Sequence, residues 1–423
     1  MEVLIVIVLA IVVVTVARRG VDASQAPRVV PVILAAYLAR LAALYLLQRN
    51  QLLGYGGDNL GYERLGMMVA DRWQREGLSF VSADDMPEVL SVAVPANVFA
   101  LVITLNGGLA TLGCTAVVAA LACVLCVVVY RFARLVGADA PAAFRLLAVT
   151  AFMPSFLLHT ADTYKDGFNA LFTVGALALG VSMTRRFALW KPLAIAPLLW
   201  ALWYVRPYMV FTCVLPLALG VSGLRRLVSL RTTVLAVTAL LGALLLAGSA
   251  VPGPAVQSME AQLDTGQSDI VRHNHQAKGS GVRFDDGGRA WGELHTKVLY
   301  TLLSPFPWTP GSRVLQLGKI DTCVWYVLLA YAVAGARRLW RRDRAVLLVL
   351  LLFLVPTTVA FATGMANIGL TFRQRMPIVM VASLLAAVAW TRERDGHPVP
   401  PAGPQAPPGG QARPFVPRQA AAR

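Results

Sequence analysis

Three polar stretches interrupt a chain that is otherwise largely apolar. The first is Gly56-Gly57-Asp58-Asn59-Leu60-Gly61-Tyr62-Glu63. The second is His159-Thr160-Ala161-Asp162-Thr163-Tyr164-Lys165-Asp166, and the third Phe372-Arg373-Gln374-Arg375-Met376-Pro377. A carboxylate facing a cavity can serve as a general base, and the forked donors of arginine fit phosphate. Each such charge costs about 2.5–3.5 kcal/mol at the centre of a membrane span on insertion scales. Plainer roles exist for each stretch. Asp58 could cap a helix that starts there, and Lys165 and Asp166 could pair with each other or with nearby arginines. Arg373 and Arg375 could snorkel to lipid headgroups. Arg40, inside an apolar run, and Arg206, before Pro207, are further candidates for lining a cavity.

The elements that must position these residues are set by composition. The chain has 423 residues, 57% of them hydrophobic and 14% charged, with a mean hydropathy of +0.63. Soluble domains carry roughly a quarter charged residues. Apolar runs near 3–17, 29–48, 108–130, 141–159, 168–184, 189–204, 208–223, 232–250, 323–336, 345–363 and 371–390 are read as spans. The expected fold is an all-α polytopic integral membrane protein of about 11 transmembrane helices, with long external loops over about 49–94 and 251–320. The apolar stretch 95–107 is read as interfacial or re-entrant, since a crossing there would invert half the loops.

Charge supports that arrangement. The net charge is +16, but it follows the loops instead of forming a nucleic-acid-binding domain. Loops carrying Arg18, Arg19, Arg28, Arg131, Arg134, Arg145, Arg185, Arg186 and Lys191, those with Arg225, Arg226, Arg231 and Arg337 to Arg344, and the tail hold 22 basic residues against five acids. The remainder of the chain is close to neutral. Basic residues concentrate on the cytoplasmic side of membranes, which puts the C-terminus in the cytoplasm of a bacterial plasma membrane. It also puts all three polar stretches outside. The first run is not a cleaved signal peptide, because Arg18 and Arg19 follow it instead of preceding it. Residues 1–28 read as an extra N-terminal span with its loop, 29–390 as the transmembrane domain, and 391–423 as a disordered Pro-, Ala-, Gln- and Gly-rich tail. Leu65, Met68, Val69 and Trp73, opposite Arg64, Asp71, Arg72 and Arg75, predict an amphipathic helix on the outer membrane face.

The cysteines and histidines offer less. Cys114, Cys123, Cys126, Cys213 and Cys323 all fall in or beside spans, so no external disulfide framework is available. Cys123 and Cys126 have redox spacing, but in a lipid-facing run without His or acid neighbours they read as packing. His273 and His275 could give two metal ligands, though a solvated loop explains them as well. No phosphate-binding or dinucleotide glycine motif is present.

Asp58-Asn59-Leu60-Gly61-Tyr62, the Pro154-to-Asp166 hairpin with the stretch Pro95 to Arg134 before it, and Arg373-Gln374-Arg375-Met376-Pro377 together resemble the multispanning glycosyltransferases of the GT-C type. The resemblance is especially to the bacterial aminoarabinose-transferase and protein O-mannosyltransferase-like group, glycosyltransferase family 39. It covers about 29–390. Asn59 departs from the pattern, since relatives place a second carboxylate there. The resemblance implies sugar transfer from a polyprenyl-phosphate donor to a glycan, lipid or protein acceptor outside the cytoplasm, in cell-envelope polysaccharide synthesis. It implies Asp58 as the base with Tyr62 beside it, and Arg375 at the lipid phosphate. Arg373, Lys165, Asp166 and Arg206 would complete the substrate site. No cofactor is implied for certain; a divalent cation is left open. The competing functions are a polysaccharide polymerase or ligase and a flippase of lipid-linked glycans. A flippase predicts inverted repeats, and none is visible.

Overall fold

The computed structural model describes residues 1–50, 58–222, 291–310, 313–365 and 367–392, together with Val282 and Phe284. Regular structure there is helical: α1 (Glu2–Gly20), α2 (Ala26–Asn50), α3 (Asp58–Glu76), α4 (Ala93–Asn106), α5 (Thr111–Val136), α6 (Ala140–Phe152), α7 (Pro154–Leu158), α8 (Asp166–Arg185), α9 (Trp190–Trp203) and α10 (Pro207–Ser222). After the undescribed stretch come α11 (Leu294–Leu303), α12 (Arg313–Arg342), α13 (Arg344–Thr363), α14 (Ile368–Gln374) and α15 (Met376–Trp390). The expected span 232–250, the pair His273 and His275, most of the second external loop and the tail beyond Arg392 lie outside the described residues.

Six described helices are long and apolar enough to cross a membrane: α1, α2, α5, α8, α12 and α13. Each falls on a run expected to span. Two other runs are broken. The run 141–159 divides at Met153, because Pro154 has no N–H to continue the α6 ladder and disfavours helical backbone at the residue before it. The new helix α7 is capped from elsewhere: the Ser155 amide donates to the Asp321 carboxylate of α12 at 2.8 Å. The run 371–390 divides at Arg375, with Pro377 near the start of α15.

α5 gives the bundle its direction. Its 26 residues span about 39 Å at 1.5 Å per residue. At one end Thr111 donates to Glu63 of α3 at 2.5 Å, and the Gly113 amide donates to Glu2 of α1 at 2.9 Å. At the other, the Tyr130 hydroxyl and Arg134 meet Asp22 at 2.6 and 2.9 Å. Arg131 donates there to the Gly20 carbonyl. Arg145 and Arg338 reach the carbonyls of Trp390 and Ala389, and the Asp139 amide reaches Thr391. Several of the arginine-bearing turns thus close one end of the bundle, while the acids of α1 and α3 gather at the other.

Helices approach closely through glycine. A Cβ on Gly335 of α12 would collide with the Leu385 carbonyl of α15, and α12 and α15 pack along their length. Small residues at such crossings let backbones touch in apolar surroundings. Cys123 and Cys126 are wholly buried rather than lipid-facing, and Cys123 Sγ contacts the Ile33 carbonyl.

α3 is the amphipathic helix its pattern predicts, but its inner face meets protein. Glu63, Gly66, Val69 and Ala70 are buried against α4. A Cβ at Gly66 would stand 2.8 Å from the Phe99 Cβ of α4, and Met68 faces outward. α4, at 14 residues, starts beside Ser91, which contacts the polar hairpin, and leads straight to Thr111. Both its ends therefore lie at the acid-bearing end of the bundle.

Candidate functional site

The hairpin between α7 and α8 is the centre of the site. Arg40, buried in α2, donates from Nε to Thr160 Oγ1 at 2.8 Å and packs its guanidinium over the Phe156 ring at 4.9 Å. Thr160 in turn donates to the Phe156 carbonyl. Arg40 thus supports the hairpin root and does not line a cavity with the other charges. Above it Asn59 Nδ2 donates to Asp162 Oδ2 at 2.8 Å, and Thr163 Oγ1 donates to the Asn59 carbonyl at 2.9 Å. These two bonds fasten the start of α3 to the hairpin. They also give Asn59 a physical reason: a carboxylate there would face Asp162 directly.

Three polar stretches far apart in sequence converge on Asp166, in the first turn of α8. Asp166 Oδ1 accepts from Arg206 Nη2 at 2.6 Å, and Oδ2 lies 2.8 Å from Arg373 Nε. Arg373 Nη2 then donates to Asp58 Oδ2 at 2.8 Å, while Arg206 Nη1 donates to the Tyr208 hydroxyl at 2.7 Å. The chain Asp58, Arg373, Asp166, Arg206 runs from outside to inside. The side chains of Asp166 and Arg206 are 1% and 5% exposed, Arg373 is 10% exposed, and Asp58 is 40% exposed. Solvent reaches this network at Asp58.

Aromatic rings hold the cations in place. The Arg373 guanidinium lies over the Tyr164 ring at 5.1 Å. The Lys165 ammonium lies 5.7 Å from the Tyr62 ring centre, a cation–π arrangement, and donates to the Ser91 carbonyl at 2.9 Å. Burial lowers the Lys165 ammonium to about 7, with the charge of Arg206 acting in the same direction. Burial raises the Tyr62 phenol to about 12, helped by the charge on Asp166. It also holds the carboxyls of Glu63 and Asp162 above the usual range. At neutral pH Tyr62 is therefore a hydrogen-bond donor, and Lys165 sits near the point where it loses its proton.

Of the residues expected to act, Asp58, Tyr62, Lys165, Asp166, Arg206 and Arg373 come together. Arg375 does not. The break before α15 turns it inward, where it is buried and Nη1 donates to the carbonyls of Ser304, Leu302 and Thr301 at 2.6, 3.1 and 3.3 Å. Those carbonyls end α11, and a cation there complements the helix terminus. Arg375 is a clasp on α11, apart from the Asp58–Arg373–Asp166 network. Sequence reasoning did not single out Tyr164, Tyr208 or Ser91. The aromatic neighbours of Lys165 and Arg206 were the available signal for the two tyrosines, whereas Ser91 carries none.

An open apolar groove of about 490 Å³ lies between the end of α3, α4 and α9, lined by Trp73, Leu78, Phe80, Val98, Leu101 and Trp200 among others. Val94 also lines it, three residues beyond the Ser91 that holds Lys165. This volume falls in the range of small-ligand sites. Among the described residues, no group of three or more His, Cys, Asp and Glu converges as a metal site would. Compared with protein-family models, curated proteins and solved structures, the chain matches none of them.

Proposed function

We propose that this chain is a membrane glycosyltransferase, which moves a sugar from a polyprenyl-phosphate donor to an acceptor on the extracytoplasmic side. The observation that carries the reading is the gathering of Asp58, Lys165, Asp166 and Arg373 from three distant stretches into one network with a single carboxylate at its accessible end. A protein that needed these charges only for surface solubility would not bury them against one another, because desolvation costs several kcal/mol per ion.

In this reading Asp58 takes the proton from an acceptor hydroxyl as its oxygen attacks the anomeric carbon. The bond from that carbon to the phosphate oxygen breaks, and its electron pair stays on the departing polyprenyl phosphate. Arg373 and Lys165 stabilise that charge, with Asp166 and Arg206 holding Arg373 in position. Preorganised donors in a water-poor site are effective in this role. One displacement inverts the anomeric centre. The apolar groove beside Ser91 suits the start of the lipid chain, and the acid-bearing end of the bundle faces outward. The test is sugar transfer by purified full-length protein from a polyprenyl-phosphate sugar, comparing wild type with Asp58→Asn. General-base loss costs about 10²–10⁴-fold. Transfer at the wild-type rate by a folded Asp58→Asn protein would remove Asp58 from the mechanism.

A further inference from the structure

The network contains its own competitor for an anionic ligand. Arg373 offers two edges. Its Nε edge is engaged by Asp166, whose side chain is 1% exposed, so no ligand reaches it. Its Nη2 edge is engaged by Asp58, the exposed member of the pair. Asp58 opens α3, and Arg373 is its ionic partner among the described residues. Lys165, fixed over Tyr62, lies within electrostatic reach of Arg373 and Asp58. The neighbouring carboxyl of Asp162 is held by neutral donors of Asn59 and Thr163, which leave its charge in the count.

Charge counting sets the ligand class. Arg206, Arg373 and protonated Lys165 are balanced by Asp58, Asp162 and Asp166. With Asp58 moved aside the cluster carries one net positive charge, which matches the monoanion of a phosphodiester, the charge state of a polyprenyl-phosphate sugar. We propose that the outer edge of Arg373, with Lys165, is a site for a lipid-borne phosphodiester that Asp58 occupies in the resting protein, and that the arriving phosphate displaces Asp58 and frees its carboxylate. The proposal rests on the glycosyl-transfer reading for its consequence: the base becomes available only when the donor is bound. It does not rest on that reading for the binding itself.

An intramolecular competitor lowers apparent affinity by the fraction of time the site is free. A pair closed nine-tenths of the time weakens binding about tenfold. Removing the competitor therefore tightens binding, although removing a residue that contacts a ligand ordinarily weakens it. The experiment measures binding of a polyprenyl-phosphate sugar, with no acceptor present, to full-length protein in nanodiscs. Phosphatidate and inorganic phosphate serve as competitors, to separate a lipid-borne from a free phosphate. Asp58→Asn is expected to bind about tenfold tighter than wild type and Arg373→Gln at least tenfold weaker. Unchanged or weaker binding by Asp58→Asn overturns the proposal. A second measurement needs no variant: hydrogen exchange at the amides of residues 62–65 in wild type should speed up when the lipid phosphate binds, because the start of α3 loses its ionic tie to Arg373 and keeps only the Asn59 bonds to the hairpin. Unchanged or slower exchange there overturns it equally. If Asp58→Asn binds more tightly but wild type transfers no sugar, the glycosyltransferase reading fails and the phosphate site stands.

Discussion

Asp166 is the residue on which the cluster turns, because among the described residues it is the only carboxylate shared by two buried guanidinium groups. Replacing it by Asn keeps the shape and removes the charge, leaving Arg206 and Arg373 to repel each other in a dry site. Breaking a buried pair from one side costs about 3–5 kcal/mol. Asp166→Asn should therefore lower the thermal unfolding midpoint markedly, and a midpoint within a degree of wild type would show the network to be loosely held. Lys165 gives a prediction in pH. Its ammonium loses its proton near 7 in the folded protein and near 10.4 in the unfolded chain. Between those values the unfolded chain holds more protons, so stability rises with pH across that window. Binding of an anionic lipid runs the opposite way and should weaken as pH rises from 6 to 9, since the site loses a cation. Lys165→Met should flatten that profile; a flat profile in wild type would separate Lys165 from the phosphate. Most of these residues could be found in sequence, because charge in an apolar chain stands out by its cost. The separation of Arg373 from Arg375 was not legible, because two arginines two positions apart look alike until the backbone break between α14 and α15 sends them to different neighbours.

At the level of helices, hydrophobic length was the readable signal and prolines were the source of error. α1, α2, α5, α8, α12 and α13 match the expected runs within a few residues. Met153 and Arg375 divide two others, for the reasons Pro154 and Pro377 supply. The inward face of α3 could be read from its spacing, but its partner could not: nothing in a periodic pattern says whether lipid or another helix covers it. Close crossings are similarly hidden, since a glycine in an apolar run does not announce what touches it. Gly335 is the sharpest case. Gly335→Ala puts a methyl group into the Leu385 carbonyl, and overpacking typically costs about 1–3 kcal/mol, occasionally more. Because backbone is the obstacle, α12 and α15 must separate. The expected outcome is a lower unfolding midpoint with faster exchange along α15. Gly61, with open space around its Cβ position, is the control, and Gly61→Ala should leave both unchanged.

For the whole molecule, the arginine-lined end and the acid-bearing end predict opposite sides of the bilayer. In a Cys323→Ser background, which removes the one exposed cysteine among the described residues, Gln74→Cys on α3 should react with a membrane-impermeant maleimide in intact cells. Arg341→Cys at the end of α12 should react only after lysis. Labelling of both in intact cells would overturn the assigned sidedness. Loop charge made this polarity legible from the sequence, whereas the joining of ends did not show, because it depends on residues distant in the chain. That distance has a consequence for how the protein is made. Asp166 meets Arg206 after 40 more residues, but Asp58 must wait for Arg373, 315 positions later. At about 5–20 residues per second that interval lasts roughly 15–60 s. During it the N-terminal helices are already inserted while half of their charge complement has yet to leave the ribosome. The nascent chain must therefore keep its hairpin wet, at the membrane edge or inside the insertion machinery, until the last helices arrive to close it.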